Sequence, residues 1–170
     1  MRRFYLLFSS ILGVSAMQAQ FINNGATVVI QSGATLKVET SFQNNSGGTV
    51  TNNGTLEVTG DFENNATFTS GSWSLVKFSG NTAANAKSGG ATLNHVEMAK
   101  TSANVTLTDA MNISGNLSFT GTASKVVLGS NNLTLAATSN VTGAGAAGYV
   151  VTNGTGAMVK GITGDGTKVL

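Results

Sequence analysis

The sequence of 170 residues contains no cysteine and no proline, and only 9% of its residues are charged. Without cysteine, the chain has neither disulfides nor a lipid-modified cysteine anchor, so burial and hydrogen bonds alone must hold its fold. Without proline, no backbone N–H donor is lost, which suits a continuous ladder of strands. The low charge leaves Thr, Ser, Asn and Gly to supply the polar surface.

The formal charge of +2 overstates how basic the protein is, because Arg2 and Arg3 lie in its first few residues. The rest of the chain has seven lysines and seven acidic residues, with no basic cluster. A nucleic-acid-binding protein would present a basic face, so we expect no nucleic-acid partner. The many Val, Thr, Leu and Phe residues at alternating positions also exclude a disordered chain.

Residues 1–19 are typical of a secretory signal peptide. A basic start precedes an apolar segment at residues 4–14, which is about half as long as a membrane span. Small residues follow, and we predict cleavage between Ala19 and Gln20, with Ala16 as the alternative position. The other interpretation is an N-terminal anchor helix. With cleavage, the mature chain contains no membrane span and is secreted to the cell surface or the medium.

An internal repeat with a 20-residue period is the clearest pattern in the mature chain. It is carried by apolar and asparagine positions, in which Leu36, Val38, Phe42, Asn44 and Asn45 recur as Leu56, Val58, Phe62, Asn64 and Asn65. Between the repeated positions, apolar and polar residues alternate, and Asn and Gly mark sharp turns. A fixed period of this length, combined with the alternation, predicts a β-solenoid rather than a meander of hairpins.

The predicted fold is therefore all-β: a single-stranded, right-handed parallel β-helix over residues 20–170, with rungs of about 20 residues. Equivalent residues of successive rungs should lie about 4.8 Å apart, which stacks Phe42 on Phe62 and Lys37 on Glu57. The pattern breaks at residues 83–92, where we predict an irregular loop. We also expect the solenoid to continue beyond the last residue given.

Two stretches carry related motifs: residues 73–81, WSLVKFSGN, and residues 105–119, which include VTLT and MNISGNLSF. Both resemble repeat regions of secreted Bacteroidetes surface proteins. The resemblance covers most of residues 20–162, and the signal peptide ending at Ala19 is similar too. It implies β-helix repeats in an adhesin-like protein that is typically exported by type IX secretion, and it implies no particular activity.

Few residues could carry catalysis. Asp61 and Glu63 would point the same way on a strand, as the paired carboxylates of a polysaccharide-processing enzyme would, but such pairs are common on exposed strands. His95 is the only histidine, and it shares a predicted strand face with Glu97. We interpret both pairs as solvent-facing strand residues. We therefore predict no catalytic residue, no metal site and no cofactor.

Two surface features suggest ligand binding. Thr-x-Thr units begin at Thr49, Thr67 and Thr106, as in ice-binding solenoids, but their unequal spacings argue against one flat face. Trp73 and Tyr149 could stack on sugar rings, although the alternating strand pattern favours a core position for Trp73. We expect glycans or other cell-surface components as ligands, and no specific protein partner.

The sequence thus predicts a secreted structural or adhesin-like segment without catalysis of its own. A polysaccharide-processing β-helix enzyme, either a lyase or a hydrolase, is the first alternative, and an ice-binding solenoid is the second.

Overall fold

The computed structural model describes residues 19–162, which form twenty β-strands and no helix. Every pairing between these strands is parallel, and each strand pairs with its equivalent in at least one neighbouring turn. The longest sheet has seven strands, one from each turn. The predicted all-β solenoid of stacked parallel turns is confirmed.

Three sides enclose the core. The first side is a seven-stranded sheet made of β1 (Phe21–Asn23), β4 (Phe42–Asn44), β7 (Phe62–Asn64), β10 (Ala84–Lys87), β13 (Ala103–Leu107), β16 (Ser124–Val127) and β19 (Gly148–Val151). The second side is a six-stranded sheet made of β3 (Thr35–Val38), β6 (Thr55–Val58), β9 (Leu75–Phe78), β12 (His95–Met98), β15 (Leu117–Phe119) and β18 (Val141–Thr142).

The third side consists of two shorter sheets. A three-stranded sheet contains β2 (Thr27–Ile30), β5 (Thr49–Asn52) and β8 (Thr67–Ser70). A four-stranded sheet contains β11 (Thr92–Leu93), β14 (Met111–Ile113), β17 (Leu133–Leu135) and β20 (Met158–Lys160).

Identical side chains stack inside the first three turns, as the repeat predicts. The rings of Phe21, Phe42 and Phe62 lie parallel, with centroids 5.2 and 5.4 Å apart. Beside them, buried asparagines form a ladder in which the Asn23 amide donates to Asn44 at 3.0 Å and the Asn44 amide donates to Asn64 at 2.8 Å. The ladder satisfies polar groups that would otherwise be costly to bury.

Charges alternate along the outer face of the six-stranded sheet. Lys37 pairs in register with Glu57, as predicted, and the same column continues through Lys77 and Glu97. The Lys77 ammonium lies 3.5 Å from the Glu97 carboxylate. The Lys37 ammonium instead contacts Glu39 at 2.8 Å, and this hydrogen bond raises the pKa of Lys37.

The prediction of an irregular loop at residues 83–92 is wrong for its first half. Ala84–Lys87 forms strand β10, which pairs with β7 below and β13 above. Two features hide the repeat here. Phe62 pairs with Ala86, so the sequence interval between stacked residues is longer than the interval from Phe42 to Phe62. In addition, both inward side chains of β10 are alanines. Only the Gly89–Gly90 corner, where both residues have positive φ, matches the expected turn.

Lys100 is a buried cation at the corner between the six-stranded and seven-stranded sheets. It is fully buried, and its ammonium donates a 2.6 Å hydrogen bond to the carbonyl of Thr59, two turns below. Gly80 occupies this corner in the turn between them and adds no side chain there. Burial lowers the pKa of Lys100, and the nearby Asp61 carboxylate partly opposes that shift.

Most of the predicted signal peptide, residues 1–18, lies outside the described residues, as do residues 163–170. Ala19 and Gln20 are exposed and have no regular secondary structure. Cleavage between them stays a prediction. Between residues 19 and 162 there is no helix long and apolar enough to cross a membrane.

Candidate functional site

Trp73 is the most conspicuous surface residue of the described chain. Its side chain is 84% exposed, so the prediction that it belongs to the core is wrong. It is also the only residue other than glycine with a positive φ, 67°, among residues 19–162. A bulky residue in the left-handed region costs about 1–2 kcal/mol. Strain of this kind is typical of functional positions.

The position of Trp73 follows from a tight turn that the first rung also contains. In the corner between β8 and β9, the Ser74 N–H donates to the Gly71 carbonyl at 3.2 Å, and Trp73 is the third residue of that turn. In the first rung, the Ala34 N–H closes the equivalent turn, and Gly33 occupies the third position with a φ of 78°. Such a turn normally requires glycine there.

The Trp73 indole is supported from the next turn. Its ring stacks on the imidazole of His95, with centroids 5.7 Å apart and an interplanar angle of 21°. The backbone N–H of Trp73 donates to the Asn94 side-chain oxygen at 3.0 Å. The indole is therefore held as a platform that presents an apolar surface to solvent.

His95 is fixed in turn by its own neighbours. The backbone N–H of Asn116 donates to His95 Nδ1 at 3.0 Å. Because Nδ1 accepts, the neutral ring carries its proton on Nε2. Gly115 allows this approach, since a Cβ at that position would lie 2.8 Å from Nδ1.

Polar side chains continue from the platform along the solenoid. The shallow groove they border has a volume of about 460 Å³ and is lined by Ser72, Trp73, Asn94, His95, Ser114, Gly115, Asn116, Thr138 and Asn140. The Asn94 amide donates to the Ser114 hydroxyl at 3.3 Å, and the Asn140 N–H donates to the Asn116 side-chain oxygen at 3.0 Å. We call this surface the Trp73 groove.

An exposed aromatic face bordered by amides and hydroxyls has the chemistry that binds carbohydrate. Sugar rings offer C–H faces that pack on an indole, and their hydroxyls both donate and accept hydrogen bonds. In the Trp73 groove, the platform belongs to the third turn, while Asn116 and Asn140 belong to the fifth and sixth. Sequence reasoning proposed sugar stacking for Trp73 as the lesser alternative, and it did not identify the asparagines.

The acidic pair Asp61 and Glu63 lies on the outer surface on either side of the buried Phe62, as predicted. Asp61 accepts the backbone N–H of Asn85 at 2.7 Å. Glu63 accepts hydrogen bonds from the side-chain amides of Asn65 and Gln43, at 2.8 and 3.5 Å. Both carboxylates are thus engaged in contacts that connect neighbouring turns.

His95 and Glu97 share the outer face of β12, as predicted. They have separate partners, because Glu97 accepts a hydrogen bond from the Thr120 hydroxyl at 2.7 Å while His95 belongs to the Trp73 groove. The two side chains therefore contribute to different surface networks.

The Thr-x-Thr units are closer together than their sequence spacing indicates. Thr49 pairs with Thr67, and Thr51 pairs with Thr69, so two units stack in register on the three-stranded sheet. The corner before β5 is longer than the corner before β8, which shortens the interval between these two units. Thr106 lies on the seven-stranded sheet and does not extend this face.

The chain matches no family model, and no curated protein or solved structure is significantly similar to it.

Proposed function

We propose that this chain is a secreted, adhesin-like β-solenoid that acts as a rigid surface segment and binds glycans through the Trp73 groove. The observation that carries the proposal is Trp73 itself: an indole that is 84% exposed, held at a φ of 67° and backed by the His95 ring. An exposed tryptophan contributes nothing to the core, and its backbone conformation costs stability. Ligand binding gives a reason for both.

The solenoid supports this role by rigidity. The seven-stranded sheet joins all seven turns by parallel hydrogen-bonded ladders and the six-stranded sheet joins the first six, while asparagine amides connect the first three turns inside. Such a scaffold holds the indole and the amides of separate turns at fixed distances. Preorganisation of this kind reduces the entropy lost when a ligand binds.

The full chain should be tested for adhesion on a panel of immobilised plant and microbial glycans. We expect retention on some of them, and loss of that retention in Trp73→Ala. Tyr149→Ala is the matched control, because Tyr149 is a 41% exposed aromatic residue on another face, beneath Lys125. Equal retention of wild type and Trp73→Ala would contradict the proposal, and so would turnover of a glycan that Asp61→Asn or Glu63→Gln abolishes.

Ice binding is a second candidate, favoured by one observation. The hydroxyl-bearing positions Thr27, Thr49 and Thr67 stack in register, with Thr51 and Thr69 beside them. Regular rows of Thr on a flat parallel sheet present evenly spaced hydroxyl and methyl groups. Thermal hysteresis in the wild type, lost in Thr49→Lys, would support this function. Its absence at millimolar protein concentration would exclude it.

A further inference from the structure

We infer that the ligand of the Trp73 groove is a neutral, linear oligosaccharide that lies parallel to the solenoid axis. This inference rests on the proposed function and specifies its ligand. It follows from three properties of the groove: its lining, its direction and the atoms it leaves free.

The lining is uncharged. Among the residues that border the groove there is no Lys, Arg, Asp or Glu. The Nδ1 atom of His95 accepts the Asn116 N–H, so it is already occupied by the protein. An anionic sugar acid would therefore meet no cationic partner, and a cationic amino sugar would meet no carboxylate.

The groove runs along the axis rather than across it. Trp73 lies in the third turn, His95 in the fourth, Asn116 in the fifth and Asn140 in the sixth. Three steps of about 4.8 Å between neighbouring strands give a length of about 15 Å. A single sugar ring would cover the indole but would not reach Asn140. Only an oligosaccharide could contact the indole and the asparagines together.

Free polar atoms face such a chain. Within residues 19–162, the side-chain nitrogen of Asn116 and the whole side-chain amide of Asn140 have no hydrogen-bond partner. His95 Nε2 is likewise without one. They supply donors and an acceptor beyond the platform, in an order set by the turns. The oligosaccharide would stack one sugar ring on Trp73, and the hydroxyls of its next rings would hydrogen-bond to these groups.

The test uses the full chain and two probe series: neutral β-linked gluco- and manno-oligosaccharides of increasing length, and oligogalacturonates of matched lengths. Trp73 is the only tryptophan of the sequence, so its fluorescence reports this site directly, and calorimetry measures affinity. We expect affinity for the neutral series to rise with length and then level off. Oligogalacturonates should bind at least tenfold more weakly.

Single substitutions test where the oligosaccharide lies in the groove. Asn140→Ala should weaken binding of the long neutral oligomers by about tenfold, the equivalent of one lost hydrogen bond, and leave the monosaccharide unchanged. Trp73→Ala should abolish binding of both, and Trp73→Phe should restore part of it. Asn132→Ala is the control, because Asn132 is an exposed asparagine outside the groove.

The outcomes separate the inference from the function on which it rests. If the protein adheres to glycans through Trp73 but prefers oligogalacturonates, the inference is wrong and the adhesive function stands. The same holds if its affinity for a monosaccharide equals its affinity for a hexasaccharide. An Asn140→Ala variant with unchanged affinity for long oligomers would also overturn it. If no glycan is retained at all, both fail.

Discussion

The first three turns and the turns that follow build the same solenoid from different cores. In the early turns, the inward column of the seven-stranded sheet is Phe21, Phe42 and Phe62, but it continues as Ala86 and Leu107. The strands of the later turns begin earlier and add a second inward column of apolar residues, which contains Ala84, Val105 and Val126. One large ring is thus replaced by two smaller side chains.

The change occurs at a single insertion. The step from Phe42 to Phe62 follows the period of the sequence, whereas the step from Phe62 to Ala86 is longer and the next step, to Leu107, is again close to the period. The extra residues lie between β9 and β10, beside the corner where Lys100 reaches down to Thr59. The pairing register between turns therefore depends on the alternation of buried and exposed positions along each strand, and not on repetition of the same residue types.

The polar interior changes at the same place. The asparagine ladder ends at Asn64, whose amide donates to the Ser88 carbonyl at 2.8 Å. In the next turn, the Asp109 carboxylate provides the connection, because it accepts hydrogen bonds from the backbone N–H groups of Ser88 and Gly89 at 2.8 and 2.7 Å. At this column, the early turns are thus connected by bonds between asparagine side chains, and the following turns by bonds from side chain to backbone.

Phe62→Ala should have the largest effect on this comparison. Phe62 is buried, stacks on Phe42 and meets Phe68 and Phe78 edge to face, with centroids 5.5 and 6.2 Å away. Its truncation should lower the free energy of unfolding by about 3–5 kcal/mol, measured by urea titration. Leu107→Ala, in the same column of the later turns, should cost about 2–3 kcal/mol. Equal losses would mean that the aromatic stack adds nothing beyond burial.

Asn44→Ala should have the second largest effect, about 2–3 kcal/mol. Asn44 donates to Asn64 and to the Thr67 carbonyl and accepts from Asn23, so its loss removes a hydrogen-bond partner from buried polar groups on two other turns. Ser88→Ala, in the equivalent column of the later turns, removes one hydrogen bond to the Ala110 carbonyl and should cost about 1 kcal/mol. If Ser88→Ala proved as costly, the ladder would not distinguish the early turns.

Lys100 allows a smaller, pH-dependent test at the boundary between the two regions. Its pKa is lowered in the folded protein and ordinary in the unfolded chain, so the unfolded chain binds more protons between these two values. The free energy of unfolding should therefore rise with pH as the pH increases from the lowered pKa towards 10.5. Lys100→Met should lack this rise and lie within about 1 kcal/mol of wild type at pH 7. Parallel pH profiles for the two proteins, from thermal melts, would refute this explanation.

The sequence was sufficient to predict the fold wherever like residues stack on like. Phe42 on Phe62 and Lys37 on Glu57 were recovered from the 20-residue period and confirmed by the register. Strand β10 was missed because alanines filled the inward positions after the insertion. Small residues give little hydrophobic contrast, so alternation cannot be read from them.

The candidate site was harder to predict. Strand alternation placed Trp73 in the core because the corner before Leu75 was not recognised. A signal existed: residues 31–36 and 71–76 are separated by two full periods, and this offset aligns Trp73 with Gly33. The contribution of Asn116 and Asn140 depends on corner lengths in later turns, which the broken period concealed.

Exchange of these two corner residues should have the smallest effect on stability and the sharpest effect on function. Trp73→Gly relieves a strained φ but gives the unfolded chain more freedom, so its free energy of unfolding should stay within about 0.5 kcal/mol of wild type. Glycan binding should nevertheless be lost.

The reverse change, Gly33→Trp, should cost about 1–2 kcal/mol and create no binding site, because the next turn places Thr55 where His95 supports Trp73. Urea titration and glycan retention on the same samples measure both effects. A Trp73→Gly protein that still binds glycans would show that the indole is not the binding platform. One that is destabilised as strongly as Asn44→Ala would show that the indole serves the fold.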